Sequence, residues 1–176
     1  MSANRLEQAR AWWLAARANP YFVRGAIAAI IIAALDQASK WWIVNVVELP
    51  LKRRIEISAI FDLTFVPNRG ASFGLFGGQR VLLSLVSMSV AAMLLVWLGK
   101  LRRPIAAAGA SLVIGGALGN LYDRIAYGFV VDFLDFSGLG FPWVFNIADT
   151  AINVGIALLI LDAIRHPSDA SKDAQR

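Results

Sequence analysis

Four runs of apolar residues organise the chain, at positions 23–47, 81–98, 105–122 and 144–161. A helix needs roughly 20 apolar residues to cross a bilayer, and a run of about 18 rises about 27 Å, so each run predicts a membrane span. The second and third runs carry no charge, the first holds Asp36 and Lys40, and the fourth holds Asp149. The stretch 27–35 behind Arg24 has the character of a signal-peptide core. Its apolar pattern continues past that core and some 20 polar, amphipathic residues precede it, which favours a retained span. Those first residues set Trp12, Trp13 and Leu14 among Arg5, Arg10 and Arg17, and predict a surface-lying helix that ends near Pro20. Between the first two runs, Arg54-Ile55-Glu56-Ile57-Ser58 and Asp62-Leu63-Thr64-Phe65 alternate, predicting a small β element in that loop.

The expected fold class is therefore an all-α membrane protein of four transmembrane helices with a β element in the first outer loop. Three parts are expected: an N-terminal extension over 1–22, a four-span domain over 23–164, and a polar, disordered tail over 165–176. Composition agrees, with 58% hydrophobic and 16% charged residues against roughly 25% charged in soluble domains. The net charge of +5 comes from basic residues that flank the apolar runs and form no single stripe. That argues for lipid headgroups as partners and against nucleic acid.

With the N-terminus inside, the inner side holds Arg5, Arg10, Arg17, Arg24, Lys100, Arg102, Arg103, Arg165, Lys172 and Arg176. The outer loops, 48–80 and 123–143, hold Lys52, Arg53, Arg54, Arg69 and Arg80, while Arg124, at the end of a span, counts for neither side. The excess predicts both termini in the cytoplasm.

The chain has no cysteine and one histidine, His166, beyond the last run. Disulfides, thiolate catalysis, cysteine-held zinc and a two-histidine zinc site are excluded. Hydrolytic chemistry falls to carboxylates, Lys or Ser. The acids gather near the outer ends of the spans: Asp36, Asp123, Asp132 and Asp149. Ionisable groups at membrane depth cost several kcal/mol and are kept mainly for function or pairing.

Two carboxylates brought together share a proton, so that one can activate water while the other protonates a leaving group. Asp132 and Asp149 are candidates for such a pair. Asp149 reads equally as the third residue of a capping box led by Asn146, and Asp132 as a solvated loop acid. Asp36 and Lys40, four apart, can pair. Arg124 shares a helix face with Asn120; it can hold a peptide carbonyl or a lipid phosphate, or pair with Asp123. Asn68, in a turn-rich segment, can bond a peptide backbone or its own turn. Ala107, Ser111, Gly115 and Gly119 recur every four residues and predict a close helix–helix contact.

Five segments occur in order: Asp36-Gln37-Ala38-Ser39-Lys40; Asn68-Arg69-Gly70-Ala71-Ser72-Phe73-Gly74; Gly115-Gly116-Ala117-Leu118-Gly119-Asn120-Leu121-Tyr122-Asp123-Arg124; Val130-Val131-Asp132-Phe133; and Phe145-Asn146-Ile147-Ala148-Asp149. Together they resemble lipoprotein signal peptidase (signal peptidase II). The resemblance implies a bacterial inner-membrane aspartyl peptidase that cuts prolipoproteins on the amino side of a diacylglyceryl-modified cysteine. It implies Asp132 and Asp149 as the catalytic pair, with Asn68, Asn120, Arg124 and Asn146 around substrate and dyad. Asp36, Lys40 and Asp123 take supporting roles. It further implies a β-cradle and a short amphipathic helix on the periplasmic side, an active site near that face, a monomer, no metal or cofactor, and inhibition by the cyclic peptide globomycin. Two other readings stand beside it: a small transporter with Asp36, Asp123 and Asp149 as an ion path, and a non-catalytic assembly factor docking through residues 107–119.

Overall fold

The computed structural model describes residues 2–70 and 79–167, with side chains described over 4–70 and 80–167. Ala71, Ser72, Phe73 and Gly74 of the second quoted segment lie outside the described residues, as does the tail from 168.

Helix α1 (Ser2–Arg17) is followed by α2 (Pro20–Asn45), the first span. Asn19 starts α2 in two ways. Its Oδ1 accepts the Tyr21 amide at 3.1 Å, and its Nδ2 donates to the carbonyls of Gly99 at 3.1 Å and Leu101 at 2.9 Å. A single buried side chain thus caps one helix and ties down the loop between the second and third spans. Helix α3 (Leu49–Lys52), strands β1 (Arg54–Glu56) and β2 (Asp62–Asn68), and the second span α4 (Gln79–Leu98) follow. The third span α5 (Pro104–Ala126), strands β3 (Val130–Asp135) and β4 (Val144–Phe145), and the fourth span α6 (Ile147–Arg165) complete the chain.

All four expected spans are helices long and apolar enough to cross a membrane. Ile30, Met93 and Ile164 are 67%, 64% and 71% exposed, an arrangement suited to lipid rather than water. Helix α5 is the central one: 67% of its apolar window is buried inside the protein, against 22% or less for the others. Small residues make this possible. A Cβ on Gly115 would lie 2.7 Å from the Ala29 carbonyl oxygen of α2, and one on Gly119 would lie 2.5 Å from an Asp36 carboxylate oxygen. The expected small-residue stripe is this face. A second face packs on α6, where a Cβ on Gly116 would run into the Ala148 carbonyl oxygen.

The β element is larger than the alternation of the first loop predicts. Four antiparallel strands run in the order β1-β2-β3-β4, so the segment between α5 and α6, including the start of the fourth apolar run, supplies half of the sheet. Strand β3 is buried along nearly its whole length and therefore shows no alternation to betray it. Asp132 is accordingly a buried strand residue and not a loop acid. The pairing Leu63↔Leu134 shifts to Val66↔Asp132, one extra residue on β2. This bulge matters for the site. Without it Phe65 would oppose Asp132 and Asn68 would fall on the other face; with it Val66 and Asn68 share the face of Asp132.

Helix α6 starts three residues later than the apolar run and ends four residues beyond it, because Val144 and Phe145 pair with β3 and Asn146 caps the helix. It takes in Asp162, a buried acid at the end remote from the sheet, which pairs with Arg103 at 3.2 Å. Acids are thus not confined to the ends of the spans that meet the sheet.

Replacing Gly116 by Leu is expected to force α5 from α6 and cost roughly 1–3 kcal/mol, read as a lower melting temperature in detergent. Leu118→Ala, on a lipid-facing position, is expected to melt close to the parent. Equal melting of Gly116→Leu and the parent would contradict this packing.

Candidate active site

The C-terminal ends of α2 and α5, the first turn of α6 and the middle of the sheet meet in one buried polar network. At its base the Lys40 ammonium, 4% exposed, lies 2.7 Å from Asp36 Oδ2 and 2.9 Å from Asp123 Oδ2. It also donates to Asn120 Oδ1 at 3.2 Å. Three ammonium protons meet three oxygens, which is what a buried charge requires. The expected Asp36–Lys40 pair is present, but it is half of a triad. Asp123 bonds Lys40 and not Arg124.

Both acids reach further. Asp36 Oδ1 accepts the Ala148 amide in the first turn of α6 at 2.9 Å. Asp123 Oδ2 accepts the Val131 amide of β3 at 3.1 Å. Gln37 closes the gap from α2, donating to Asp123 Oδ1 at 2.8 Å and to the Gly119 carbonyl at 3.1 Å. Reading of the sequence did not single out Gln37. Its position beside Asp36, inside an apolar run, is the signal available.

Above this base stand two asparagines and two acids. Asn120 Oδ1 accepts from Lys40 and from Asn146 Nδ2 at 3.1 Å, so its Nδ2 faces Asp149 Oδ1, at 2.8 Å. Asn146 is the cap of α6. Its Oδ1 accepts the Asp149 amide at 2.9 Å, and its own amide donates to Asp149 Oδ2 at 3.3 Å, the capping box expected. Its Nδ2 also donates to Asp132 Oδ1 at 2.7 Å. One residue therefore bridges the two acids. Asn68 Nδ2, on the bulged strand, donates to Asp132 Oδ2 at 2.9 Å, while its Oδ1 accepts the Gly70 amide at 2.9 Å. Both of its expected uses, partner and turn, occur together.

Asp132 and Asp149 line one cleft of about 490 Å³, with Asn68, Phe141, Trp143 and Asn153 in its walls. Asp132 is 1% exposed, and burial pushes its carboxyl up to about 6. The Asn68 hydrogen bond opposes that rise, the Asp149 charge adds to it, and the Asn146 bond and Lys40 charge oppose it. Arg124 stands half-buried with Nη1 3.4 Å from Ser87 Oγ and forms no ion pair among the described residues. Arg80 holds the end of α5, donating to the carbonyls of Arg124 and Ile125.

Four membrane spans and two carboxylates bridged at one cleft define a class: a polytopic membrane protein with a buried paired-acid site. Comparison with known proteins specifies it. The sequence model of the family described as signal peptidase (SPase) II matches residues 28–165. The chain is 49% identical over 142 residues to the lipoprotein signal peptidase of Caulobacter vibrioides, covering 78% of this chain and 84% of that one. It is 42% identical over 146 residues to that of Beijerinckia indica, covering 80% and 87%. Among solved structures it is similar to a bacterial membrane enzyme determined by the in meso method at 2.3 Å, with TM-score 0.71, 26% identity, and 83% and 90% of the two chains covered. The chain belongs to the signal peptidase II family and is a membrane-embedded aspartic peptidase.

Because folding raises the pKa of Asp132, its contribution to stability is full below the ordinary 3.8 and is lost as the pH rises through about 6. Carboxyl carbon NMR of aspartate-labelled protein is expected to show one titration near 6 that vanishes in Asp132→Asn. Asp149→Asn should move that step down and Asn68→Ala should move it up. A step near 4 that ignores both substitutions would contradict this electrostatic picture.

Proposed function

We propose that this peptidase removes the signal peptide from diacylglyceryl-modified prolipoproteins, cutting on the amino side of the lipidated cysteine, with Asp132 and Asp149 as the acid pair. The observation that carries the reading is the bridge through Asn146. It holds both carboxylates at one cleft, and Asn120 and Asn68 complete their hydrogen bonds.

The two acids share one proton, and Asp132, the carboxyl raised by burial, is the member suited to deliver it. Asp149, the more exposed of the two, takes a proton from water as the oxygen attacks the scissile carbonyl. Asp132 gives its proton to the departing cysteine nitrogen as the C–N bond breaks. The products are the signal peptide's new carboxyl group and a free α-amino group on the lipidated cysteine. The reading uses no metal or cofactor. Asn68, exposed beside Asp132, is suited to the peptide backbone, and Arg124, half-buried above α5, to a substrate carbonyl. Lys40, Asp36 and Asp123 position Asn120, α6 and β3, and do not touch substrate.

The same reading sets the protein in the bacterial inner membrane as a monomer, with both termini cytoplasmic, the sheet and cleft at the periplasmic face, and residues 23–164 as the working unit. The excess of basic residues at the other end supports that orientation. Residues 1–22 form a cytoplasmic extension and 165–176 a tail. The cleft is a suitable seat for a cyclic peptide of the globomycin type.

Purified protein is expected to cleave a diacylglyceryl-modified prolipoprotein. Asp132→Asn and Asp149→Asn should each lower kcat by roughly 10²–10⁴-fold with substrate binding retained. Near-parent turnover in either variant would remove that residue from the pair, and a folded parent that leaves the substrate intact would refute the reading.

A further inference from the structure

A second cavity, larger than the cleft of the acid pair, shares no lining residue with it. It measures about 670 Å³ and is enclosed by α2, Pro50 of α3, Phe65 of β2, and the outer end of α5 with the residues that follow it. Sites for small ligands run from roughly 300 to 1,000 Å³. None of the steps proposed above uses it.

Its walls are apolar and aromatic. Tyr122, Tyr127 and Phe129 form a continuous face, with ring centroids 6.2 and 6.4 Å apart. Trp41 and Val44 of α2 stand across from them. The polar groups at the floor are already engaged: the Lys40 ammonium by its three oxygens, and the Gln37 amide by Asp123 and Gly119. Water would gain little there, whereas an apolar chain would fit the walls. The lining runs along α2 from Gln37 to Asn45, eight residues or about 12 Å of helix, so the space is elongated along the span.

The rim is basic. Lys52 and Arg53 lie two and three residues after Pro50, are exposed, and enter no ion pair among the described residues, the Lys52 ammonium donating only to the Val47 carbonyl at 2.8 Å. Arg54 is different, being engaged with Asp62. The Arg53 carbonyl accepts the amide of Phe65, a lining residue, at 2.9 Å, so the Arg53 backbone is tied directly to the cavity wall. The backbone is specialised here. Glu48 and Arg53, flanking α3, are the only described residues other than glycine with positive φ, at 55° and 67°. Such conformations persist where the surrounding structure requires them. They hold α3 so that Leu51, 80% exposed, projects outward beside two cations, a pattern suited to the headgroup level. Glu48 is the one acid on this turn, and it leaves the balance positive.

We infer that this cavity is a binding site for an anionic glycerophospholipid, with an acyl chain between α2 and the Tyr122–Tyr127–Phe129 wall and the phosphate at Lys52 and Arg53. The site is distinct from the cleft and goes beyond the proposed reaction. The occupant is a resident lipid and not the substrate's diacylglyceryl group.

The test is lipid titration of delipidated full-length protein in neutral detergent, followed by native mass spectrometry. Phosphatidylglycerol is expected to saturate one site that phosphatidylcholine fills poorly. K52Q/R53Q should weaken phosphatidylglycerol binding by roughly tenfold or more, while Val44→Trp, which fills the cavity, should abolish it. Peptidase turnover in detergent should stay close to the parent in K52Q/R53Q, separating this site from the acid pair. Equal, unsaturable uptake of both lipids, or phosphatidylglycerol binding that ignores K52Q/R53Q, would overturn the proposal. So would displacement of bound phosphatidylglycerol by a diacylglyceryl-modified peptide that cannot be cleaved, which would assign the cavity to substrate.

Discussion

Everything at the outer end of this protein hangs on the Lys40 ammonium. Burying an unpaired charge among apolar helices would be prohibitive, and two carboxylates and an amide oxygen meet it instead. Those same carboxylates also accept backbone amides of other elements: Asp36, through its second oxygen, that of Ala148 at the start of α6, and Asp123, through the oxygen that meets Lys40, that of Val131 of β3. The triad therefore fixes the two elements that carry Asp149 and Asp132 relative to α2 and α5. Breaking a buried pair by removing one partner typically costs about 3–5 kcal/mol, so the triad is a structural necessity as well as a positioning device.

The triad also decides which way an amide points. An asparagine presents an oxygen at one end and an N–H donor at the other, and the Lys40 ammonium, a donor only, can bond only the oxygen. With Oδ1 of Asn120 held by Lys40 and Asn146, its Nδ2 is left for Asp149. The helix cap works in the same sense, since Asn146 serves α6, Asp149 and Asp132 at once. Stability and function are not alternatives here. The capping box that would explain Asp149 as a structural residue is the same set of bonds that aligns it with Asp132.

The spans were legible in the sequence because membrane insertion depends on long apolar runs, a signal carried by each segment alone. The small-residue stripe was legible for the same reason, as a period of four along one helix. What could not be read was pairing between segments. Strand β3 is buried on both faces and looked like a loop, and the bulge that turns Asn68 toward Asp132 exists only once β2 and β3 meet. Asp123 had a neighbour in sequence, Arg124, and found its partner on another helix. Gln37 and Asn19 were missed because one amide in an apolar run, or one before a proline, gives no sign of which distant carbonyls it will bond. The resemblance supplied the roles of Asp132 and Asn146 that local pattern left open.

The central claim is that Lys40 acts on the acid pair through Asn120. A double-mutant cycle on kcat/KM, using Lys40→Met, Asn120→Ala and the pair together, tests it most directly, with melting curves confirming that each variant is folded. Each single substitution should slow cleavage, and Lys40→Met should cost much less in the Asn120→Ala background than in the parent, leaving a coupling of roughly 0.5–3 kcal/mol. Additive effects in folded variants would contradict the account and leave Lys40 as a packing residue with no part in setting the site.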